Sequence, residues 1–284
     1  MSKSPKLSRR GFLRQGIGVG TAVVSAPYFV PAHVLAAQGQ PGANDRINLG
    51  YIGVGRRGRQ LMSLPAEGRI VAVADVDKRR AQEAAEATGG RPYTDYREML
   101  DAKDVDAVVV ATPDHWHALP SIHACQAGKD VYCEKPLGLT IAEGRAMVQA
   151  ARRYDRVFQT GTQRRSMDKH RFGCELVRNG VAGRIHTVLI LNYPSPWRSN
   201  LPAQPVPQGL DWDTWCGQTD PAAFHNDIFI QRSNPGWISL QPYSGGEMTG
   251  TGAHGFDQIQ WALDMDDTGP VEIWAEGGQL DPET

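Results

Sequence analysis

The sequence predicts an α/β protein of two domains, the first built on a doubly wound parallel sheet. Short apolar segments alternate with helical patterns over residues 47–161, which favours parallel strands with helices on both faces. A glycine triplet, Gly53, Gly55 and Gly58, follows the first apolar segment directly. Beyond Arg165 the pattern changes and proline and tryptophan become frequent, which indicates a second domain.

Length and composition agree with this division and exclude some classes of function. The chain has 284 residues, of which 40% are hydrophobic, so it can bury two cores. A formal net charge of -1 gives no electrostatic reason to expect nucleic acid as a partner. The four cysteines have no C-x-x-C pair and no metal-ligand spacing, so we expect no metal. Cys125 and Cys133 lie in apolar patterns, which favours buried free thiols over disulfides.

The N-terminus is predicted to be an export signal. Arg9 and Arg10 stand in S-R-R-G-F-L before a moderately apolar run over residues 17–30, and small residues before Ala37 offer a cleavage site. Glycines and prolines interrupt the run, which is shorter than the roughly 20 residues of a membrane span. The pattern is typical of a twin-arginine signal over residues 1–36, a membrane anchor and a chance arginine pair being the alternatives. We therefore expect a periplasmic protein, exported folded with any cofactor in place and free of the membrane after signal removal.

The glycine triplet stands where a dinucleotide-binding loop would lie. Gly53 permits a tight turn and Gly55 lets backbone amides approach a pyrophosphate, while Gly58 allows the next helix to pack closely. Asp75 closes the second apolar segment, 22 positions after Gly53, where a carboxylate can accept hydrogen bonds from a ribose diol. Because that acid would repel a 2′-phosphate, the sequence predicts NAD, with NADP possible since two arginines follow shortly after.

The other elements of the first domain, residues 45–165, follow in order. Apolar runs predict strands, and alanine-rich or amphipathic stretches that stop at glycine predict helices. Thr140 and Glu143 form a capping box at the start of the last helix. The expected strands are residues 69–75, 107–111, 130–133 and 157–161, and the expected helices are residues 78–88, 96–100 and 118–127 and a long one after Thr140.

The second domain, residues 166–284, is predicted to combine helices and strands. Residues 194–246 are rich in proline and tryptophan, and a stretch of that length is more often a functional excursion or partner surface than a linker. The last helix is expected to bury Phe256, Ile259 and Leu263 and to turn His254 and Asp257 to another face. The predicted helices are residues 169–179 and 254–263, and the predicted strands are residues 185–193 and 271–275.

Two polar clusters directly follow buried strands. Thr112-Pro113-Asp114-His115-Trp116-His117 follows the strand at residues 107–111, and Glu134-Lys135-Pro136 follows the next strand. Open parallel sheets bind ligands at the carboxyl ends of their strands, so both clusters should face the cofactor crevice. For Asp114, capping of the following helix is an equal alternative. For Lys135 the alternative of a solvated loop cation is the weaker one.

Together these motifs resemble the glucose-fructose oxidoreductase, inositol dehydrogenase and MocA family. The likeness rests on the glycine loop, T-P-D-H-W-H-A, A-G-K-D-V-Y-C-E-K-P-L and G-A-H-G-F-D, and it covers essentially everything after the signal. Exported members with D-W-D-x-W, here residues 211–215, and Y-S-G-G-E-M-T, here residues 243–249, are the closest in pattern. The resemblance implies a Rossmann domain followed by an α+β domain with an open, largely antiparallel sheet that commonly forms a homo-oligomer interface. Because the chain ends at Thr284, we expect that sheet to be truncated.

The resemblance also implies a set of site residues. The family lysine, here Lys135, lies beside the nicotinamide and the substrate hydroxyl, and the family histidine, here His254, is a candidate base. Many relatives carry an aspartate where this chain has Gly250, which places the acid partner of His254 in question. The candidate cofactor-binding residues are Gly53, Gly55, Arg56, Arg57, Gly58, Asp75, Thr112, Pro113, His117, Glu134, Lys135 and Gln163, and the candidate substrate-binding residues are Lys135, Arg165, Trp197, His254 and Asp257.

The expected activity is hydride transfer between a sugar or polyol carbon and NAD(P), with one proton moved by Lys135 or His254. Desolvation beside a cationic nicotinamide would favour the neutral amine of Lys135. Two alternatives remain from the sequence. One is a glycosidase or lyase that oxidises and re-reduces its sugar within a turnover, and the other is a cofactor-binding protein or inactive fragment, favoured by Gly250.

Overall fold

The structure is a computed structural model that describes residues 42, 45–63, 67–195, 198, 200–230 and 236–277. The chain divides into two compact units, Met1–Arg46 and Ile47–Thr284, and the second carries every element discussed below. The expected export signal lies outside the described residues. Among the helices of the described ranges, none is long and apolar enough to cross a membrane.

The second unit contains a parallel sheet with the strand order β3-β2-β1-β4-β5-β6. All five neighbouring pairs are parallel, which confirms the predicted doubly wound sheet. From β1 the chain adds β2 and β3 on one side of the sheet, and from β4 it adds β5 and β6 on the other. A ligand crevice therefore opens at the carboxyl ends of β1 and β4. The strands are β1 (Ile47–Ile52), β2 (Gly68–Ala74), β3 (Arg91–Tyr93), β4 (Ala107–Val110), β5 (Asp130–Glu134) and β6 (Phe158–Gly161).

Helices cover both faces of this sheet, and their ends follow the capping signals. Asp77 caps the second helix by accepting hydrogen bonds from two backbone amides, and Gly89 ends it in the left-handed conformation. Thr140 and Glu143 form the predicted capping box. The helices are α1 (Arg56–Gln60), α2 (Lys78–Thr88), α3 (Tyr96–Leu100), α4 (Ala118–Gln126) and α5 (Ile141–Arg153).

Apolar side chains are buried on both faces of the sheet because helices pack on each. Tyr51 and Val73 belong to the core cluster on one face, together with Ala84 of α2. Ile52 and Val110 belong to the cluster on the other face, with residues of α3 and α4. Neighbouring residues on a strand therefore point to opposite cores, which explains the nearly continuous apolar runs.

Trp212, Trp215 and Trp237 belong to a third core cluster. Trp212 and Trp215 stack with ring centroids 4.4 Å apart, and Tyr243 meets Trp215 edge to face at 4.8 Å. We call the described residues between 200 and 246 the aromatic segment. It is joined to the sheet domain by the amide of Lys78, which donates to Gly209 O at 2.9 Å. Its helices are α7 (Trp212–Cys216) and α8 (Asn226–Phe229); α6 (Asp168–Arg178) precedes it, and α9 (Gly246–Gly250) and α10 (Gly252–Ala262) follow.

The predictions of strands at residues 185–193 and 271–275 are wrong for the described residues. Both stretches are irregular, and Leu191 is 98% exposed. Alternating apolar residues favour a strand only when a neighbouring strand can pair with its backbone, and no strand in the described ranges lies beside either stretch. The antiparallel sheet is therefore not part of the described structure. Phe256, Ile259 and Leu263 of α10 were expected to be buried, but Phe256 is 47% exposed and the other two are only partly buried.

Candidate active site

A cavity of about 490 Å³ lies along the carboxyl ends of the parallel strands. Its volume is in the range of ligand sites. Its lining includes the glycine loop, Asp75 and Arg80, and also Lys135, Gln163 and His254. The aromatic segment contributes Thr214, Trp215, Phe229, Ile230 and Trp237 to the wall.

The three glycines of the loop meet different spatial demands. Gly53 has a φ of +83°, and a Cβ there would lie 2.9 Å from the Ala111 backbone. A Cβ on Gly58 would lie 2.2 Å from the carbonyl oxygen of Gly53. Gly55 borders the cavity, and the nearest atom to its Cβ position is Nη1 of Arg80 at 3.5 Å. Gly53 and Gly58 therefore set the loop shape, while Gly55 leaves the backbone open to a ligand.

Asp75 ties the glycine loop to the end of β2. Its Oδ2 accepts the Val54 amide at 2.9 Å, and its Oδ1 accepts the Asp77 amide at 2.9 Å. Burial raises the pKa of this carboxyl, while hydrogen bonds from the backbone and the charge of Arg80 oppose the rise. Each carboxylate oxygen keeps a further lone pair, so Asp75 can still accept a ribose hydroxyl.

Glu134 and Arg57 form a salt bridge across the crevice. Nη2 of Arg57 lies 2.8 Å from Oε1 of Glu134, and Nε donates to the same oxygen at 2.9 Å. The Glu134 side chain is 5% exposed. Arg57 and Glu134 were both predicted to bind cofactor. In the structure they pair with each other, which fixes α1 to the end of β5.

His117 connects the two polar clusters predicted from the sequence. Its Nδ1 lies 2.6 Å from the carbonyl oxygen of Pro136, and its Nε2 lies 3.1 Å from that of Thr112. The ring is nearly inaccessible to solvent and borders the cavity. It therefore fixes the Lys135 loop against the loop after β4, beside the proposed cofactor.

Lys135 and His254 lie at the same end of the cavity. Nζ of Lys135 donates to the carbonyl oxygen of Gly250 at 3.0 Å, across 115 residues of sequence. Burial and the nearby charges of Lys135 and Arg164 lower the pKa of His254 to about 4. At neutral pH His254 is consequently uncharged and can accept a hydrogen bond or a proton.

The other candidate substrate residues are not at this end. Arg165 donates from Nε to Oδ1 of Asp257 at 2.8 Å and also pairs with Asp266. Neither Arg165 nor Asp257 borders the cavity. The carboxylate of Asp257 is therefore paired with Arg165 and does not face the cavity beside His254. Trp197 lies outside the described residues.

Two buried oxygens beside the cavity have no protein partner. They are Oγ1 of Thr112 and Oε1 of Gln163, both predicted to contact cofactor. Buried polar atoms are nearly always satisfied, so unpaired ones at a cavity wall fit a polar ligand. Together with the open Gly55 position, they fit a dinucleotide bound at the strand ends. We found no group of described His, Cys, Asp or Glu side chains that could hold a metal ion.

Some cavity residues were missed from the sequence. Trp215 and Phe229 are not among the predicted site residues. Asp114 belongs to a cluster that the sequence predicts at the crevice, with helix capping as the alternative, and Arg80 is one of the two arginines that make NADP possible. The strand-end position of Asp114 was a usable signal, whereas nothing local shows that residues more than 100 positions after the glycine loop fold back over it.

The chain is similar to several known proteins. A myo-inositol 2-dehydrogenase of Thermotoga maritima is 31% identical over 155 residues, 53% of this chain and 46% of the relative. A 2,7-anhydro-N-acetylneuraminate hydratase of Mediterraneibacter gnavus is 32% identical over 142 residues, 48% of this chain and 37% of the relative. The crystal structure of scyllo-inositol dehydrogenase from Lactobacillus casei with bound NAD(H) and scyllo-inositol is 29% identical, with a TM-score of 0.46, over 49% of this chain and 43% of that one.

The chain spans about half, or less, of the length of these relatives. Two family descriptions nevertheless match most of it. The oxidoreductase family with an NAD-binding Rossmann fold matches residues 47–162, and the C-terminal alpha/beta domain of that oxidoreductase family matches residues 172–284. The chain therefore belongs to the Gfo/Idh/MocA family of oxidoreductases, with an N-terminal NAD-binding Rossmann domain.

Proposed function

We propose that this chain is an NAD-dependent dehydrogenase that acts on a hydroxyl-bearing carbon of a sugar or polyol. The observation that carries the proposal is that one cavity is lined by Lys135 and an uncharged His254, which lie close together, and also by Asp75 and the glycine loop. This spacing of groups suits a dinucleotide laid along the strand ends with its nicotinamide beside Lys135. Relatives named as inositol dehydrogenases support a polyol such as inositol as the substrate class.

The bound nicotinamide would supply hydride acceptance, and the protein would orient the alcohol and move one proton. Lys135 is the candidate proton acceptor from the hydroxyl, because it lines the cavity directly after β5. His254 can hold the same hydroxyl by accepting a hydrogen bond, since it is neutral at working pH. Asp75 would favour NAD over NADP by charge repulsion, with Arg80 reducing the preference.

The test is turnover of Lys135→Met with NAD and a panel that includes myo-inositol and scyllo-inositol. We expect NAD binding close to that of the parent and no detectable turnover. Lys103→Met is the matched control, because Lys103 is an exposed loop lysine remote from the cavity lining. Parental turnover by Lys135→Met would refute the proposed chemistry.

A second candidate is a redox-neutral reaction that cycles the cofactor, for which the relative named as a hydratase is the supporting observation. Net NADH accumulation separates the two, since a cycling enzyme converts substrate without it. A cofactor-binding protein without activity would hold NAD and convert nothing in the same panel.

We also propose that the protein is exported by the twin-arginine route to the periplasm and assembles into a homo-oligomer. Arg9 and Arg10 support the first proposal, and exposed apolar side chains such as Phe172 and Leu191 support the second. Fractionation of cells and light scattering of the purified protein test them separately.

A further inference from the structure

A buried carboxylate, that of Asp114, lies at the Lys135 end of the cavity. Asp114 follows β4 in a 3-10 turn, borders the cavity and is only 3% exposed. It does not cap the next helix, because α4 begins without a side-chain cap. An ionised carboxylate is costly to bury unless charges and hydrogen bonds compensate it. The groups around Asp114 therefore indicate what role its carboxylate has.

The carboxylate is held in one orientation by the chain that leads into α9. Oγ of Ser244 donates to Oδ2 of Asp114 at 2.7 Å, and Ser244 is itself buried. The backbone beside it is fixed as well, because the His115 amide donates to the carbonyl oxygen of Tyr243 at 3.2 Å. Asp114 is thus held between the strand-end loop and the segment that carries Gly250.

Charged groups from three elements face Asp114. Lys135, at the end of β5, and His117, at the start of α4, favour its ionised form, while Glu247 of α9 disfavours it. The thiol of Cys133 on β5 also interacts with its charge. Burial raises the pKa of Asp114, and the electrostatic effects of His117 and Lys135 and the hydrogen bond from Ser244 oppose that rise. Of the two carboxylates in this group, only Asp114 borders the cavity.

We propose that Asp114 is a positioning residue whose carboxylate holds Lys135 in its ammonium form and so sets the pH at which Lys135 gives up its proton. Gly250 supplies Lys135 with a carbonyl acceptor at 3.0 Å but no charge. Asp114, in the loop after β4, supplies the negative charge opposite Lys135 that Gly250 of α9 lacks. The inference rests on the proposed function, in which Lys135 is the group that moves the proton.

The charge of Asp114 affects alcohol oxidation and carbonyl reduction differently. Oxidation of an alcohol needs Lys135 as the neutral amine, whereas reduction of a carbonyl needs the ammonium. Asp114 opposes the effect of desolvation, which alone favours the neutral amine. It thereby keeps Lys135 available as an acid at neutral pH and moves the oxidation reaction toward higher pH.

The experiment measures protonation of Lys135 directly and needs no substrate. The full chain is labelled with trace acetic anhydride across a pH series, and acetylation of the Lys135 peptide is followed by mass spectrometry, because only the neutral amine reacts. We expect Asp114→Asn to move the midpoint for Lys135 to lower pH by about one unit or more, as expected for loss of a nearby opposite charge. Asp114→Ser should give the same shift and serves if Asp114→Asn does not fold.

Glu247→Gln is the matched control, since it removes the neighbouring buried carboxylate that does not border the cavity. We expect it to move the Lys135 midpoint by less than half as much. The assignment would be overturned if both Asp114 variants kept the parental labelling midpoint of Lys135. It would also be overturned if Glu247→Gln moved that midpoint as far as the Asp114 variants do. Neither result affects the Lys135→Met turnover test, so failure of this inference is distinguishable from failure of the proposed function.

Discussion

Replacement of Gly58 by alanine should displace the glycine loop from the sheet. The new Cβ would lie 2.2 Å from the carbonyl oxygen of Gly53 and 3.8 Å from the Cβ of Ala111. The first contact is with backbone, which cannot rotate away as a side chain can. Because Gly53 is itself packed against Ala111 and Thr112, the strain has to move α1 or the loop.

The expected cost follows from two opposing effects. Overpacking of a tight site costs about 1–3 kcal/mol. Alanine in a helix recovers up to about 1 kcal/mol relative to glycine. We therefore expect Gly58→Ala to lower the free energy of unfolding by about 1–2 kcal/mol and to weaken NAD binding at least tenfold, an order-of-magnitude figure for a displaced pyrophosphate loop.

The assay is urea unfolding with and without NAD, together with calorimetric titration of NAD. Gly173→Ala is the matched control, because Gly173 also lies inside a helix but its Cβ position has no atom within 4 Å. This control should be neutral or more stable by up to about 1 kcal/mol. Parental stability and parental NAD affinity in Gly58→Ala would refute the steric reasoning.

Four further outcomes are expected. Asp75→Ala should narrow or reverse the ratio of the dissociation constants for NAD and NADP, and a parent that already prefers NADP would contradict the role of Asp75. His254→Ala should lower single-turnover hydride transfer roughly 100- to 10,000-fold while NAD binding persists. Burial lowers the pKa of His115 from 6.5 to about 4, so between pH 6.5 and pH 4 the imidazole takes up a proton mainly in the unfolded state. The free energy of unfolding should therefore fall by roughly 3 kcal/mol over that range. Urea unfolding at pH 6.5 and at pH 4 should show this loss in the parent and not in His115→Phe. Arg9→Lys combined with Arg10→Lys should leave folded precursor in the cytoplasm, and normal export of that variant would contradict the signal assignment.

The sequence alone determined the elements whose causes are local. Strands β1, β2 and β4 are short apolar runs, and some helix ends have a nearby residue that caps or stops them, as Thr140 and Gly89 do. The short edge strand β3, Arg91–Tyr93, has no such run and was not predicted. The glycine loop was readable for the same reason, since the turn, the close approach and the helix start all occur within six residues. Gly53 and Gly58 are needed because no Cβ fits, which the spacing already indicated.

Tertiary structure decided what depends on partners distant in the chain. Lys135 meets Gly250 across 115 residues, and Asp114 meets Ser244 across 130, so no local pattern could reveal either contact. The alternation over residues 185–193 predicted a strand, but alternation describes only which side chains could share a face. A strand also needs a neighbour for its backbone, and in the described chain that neighbour is missing.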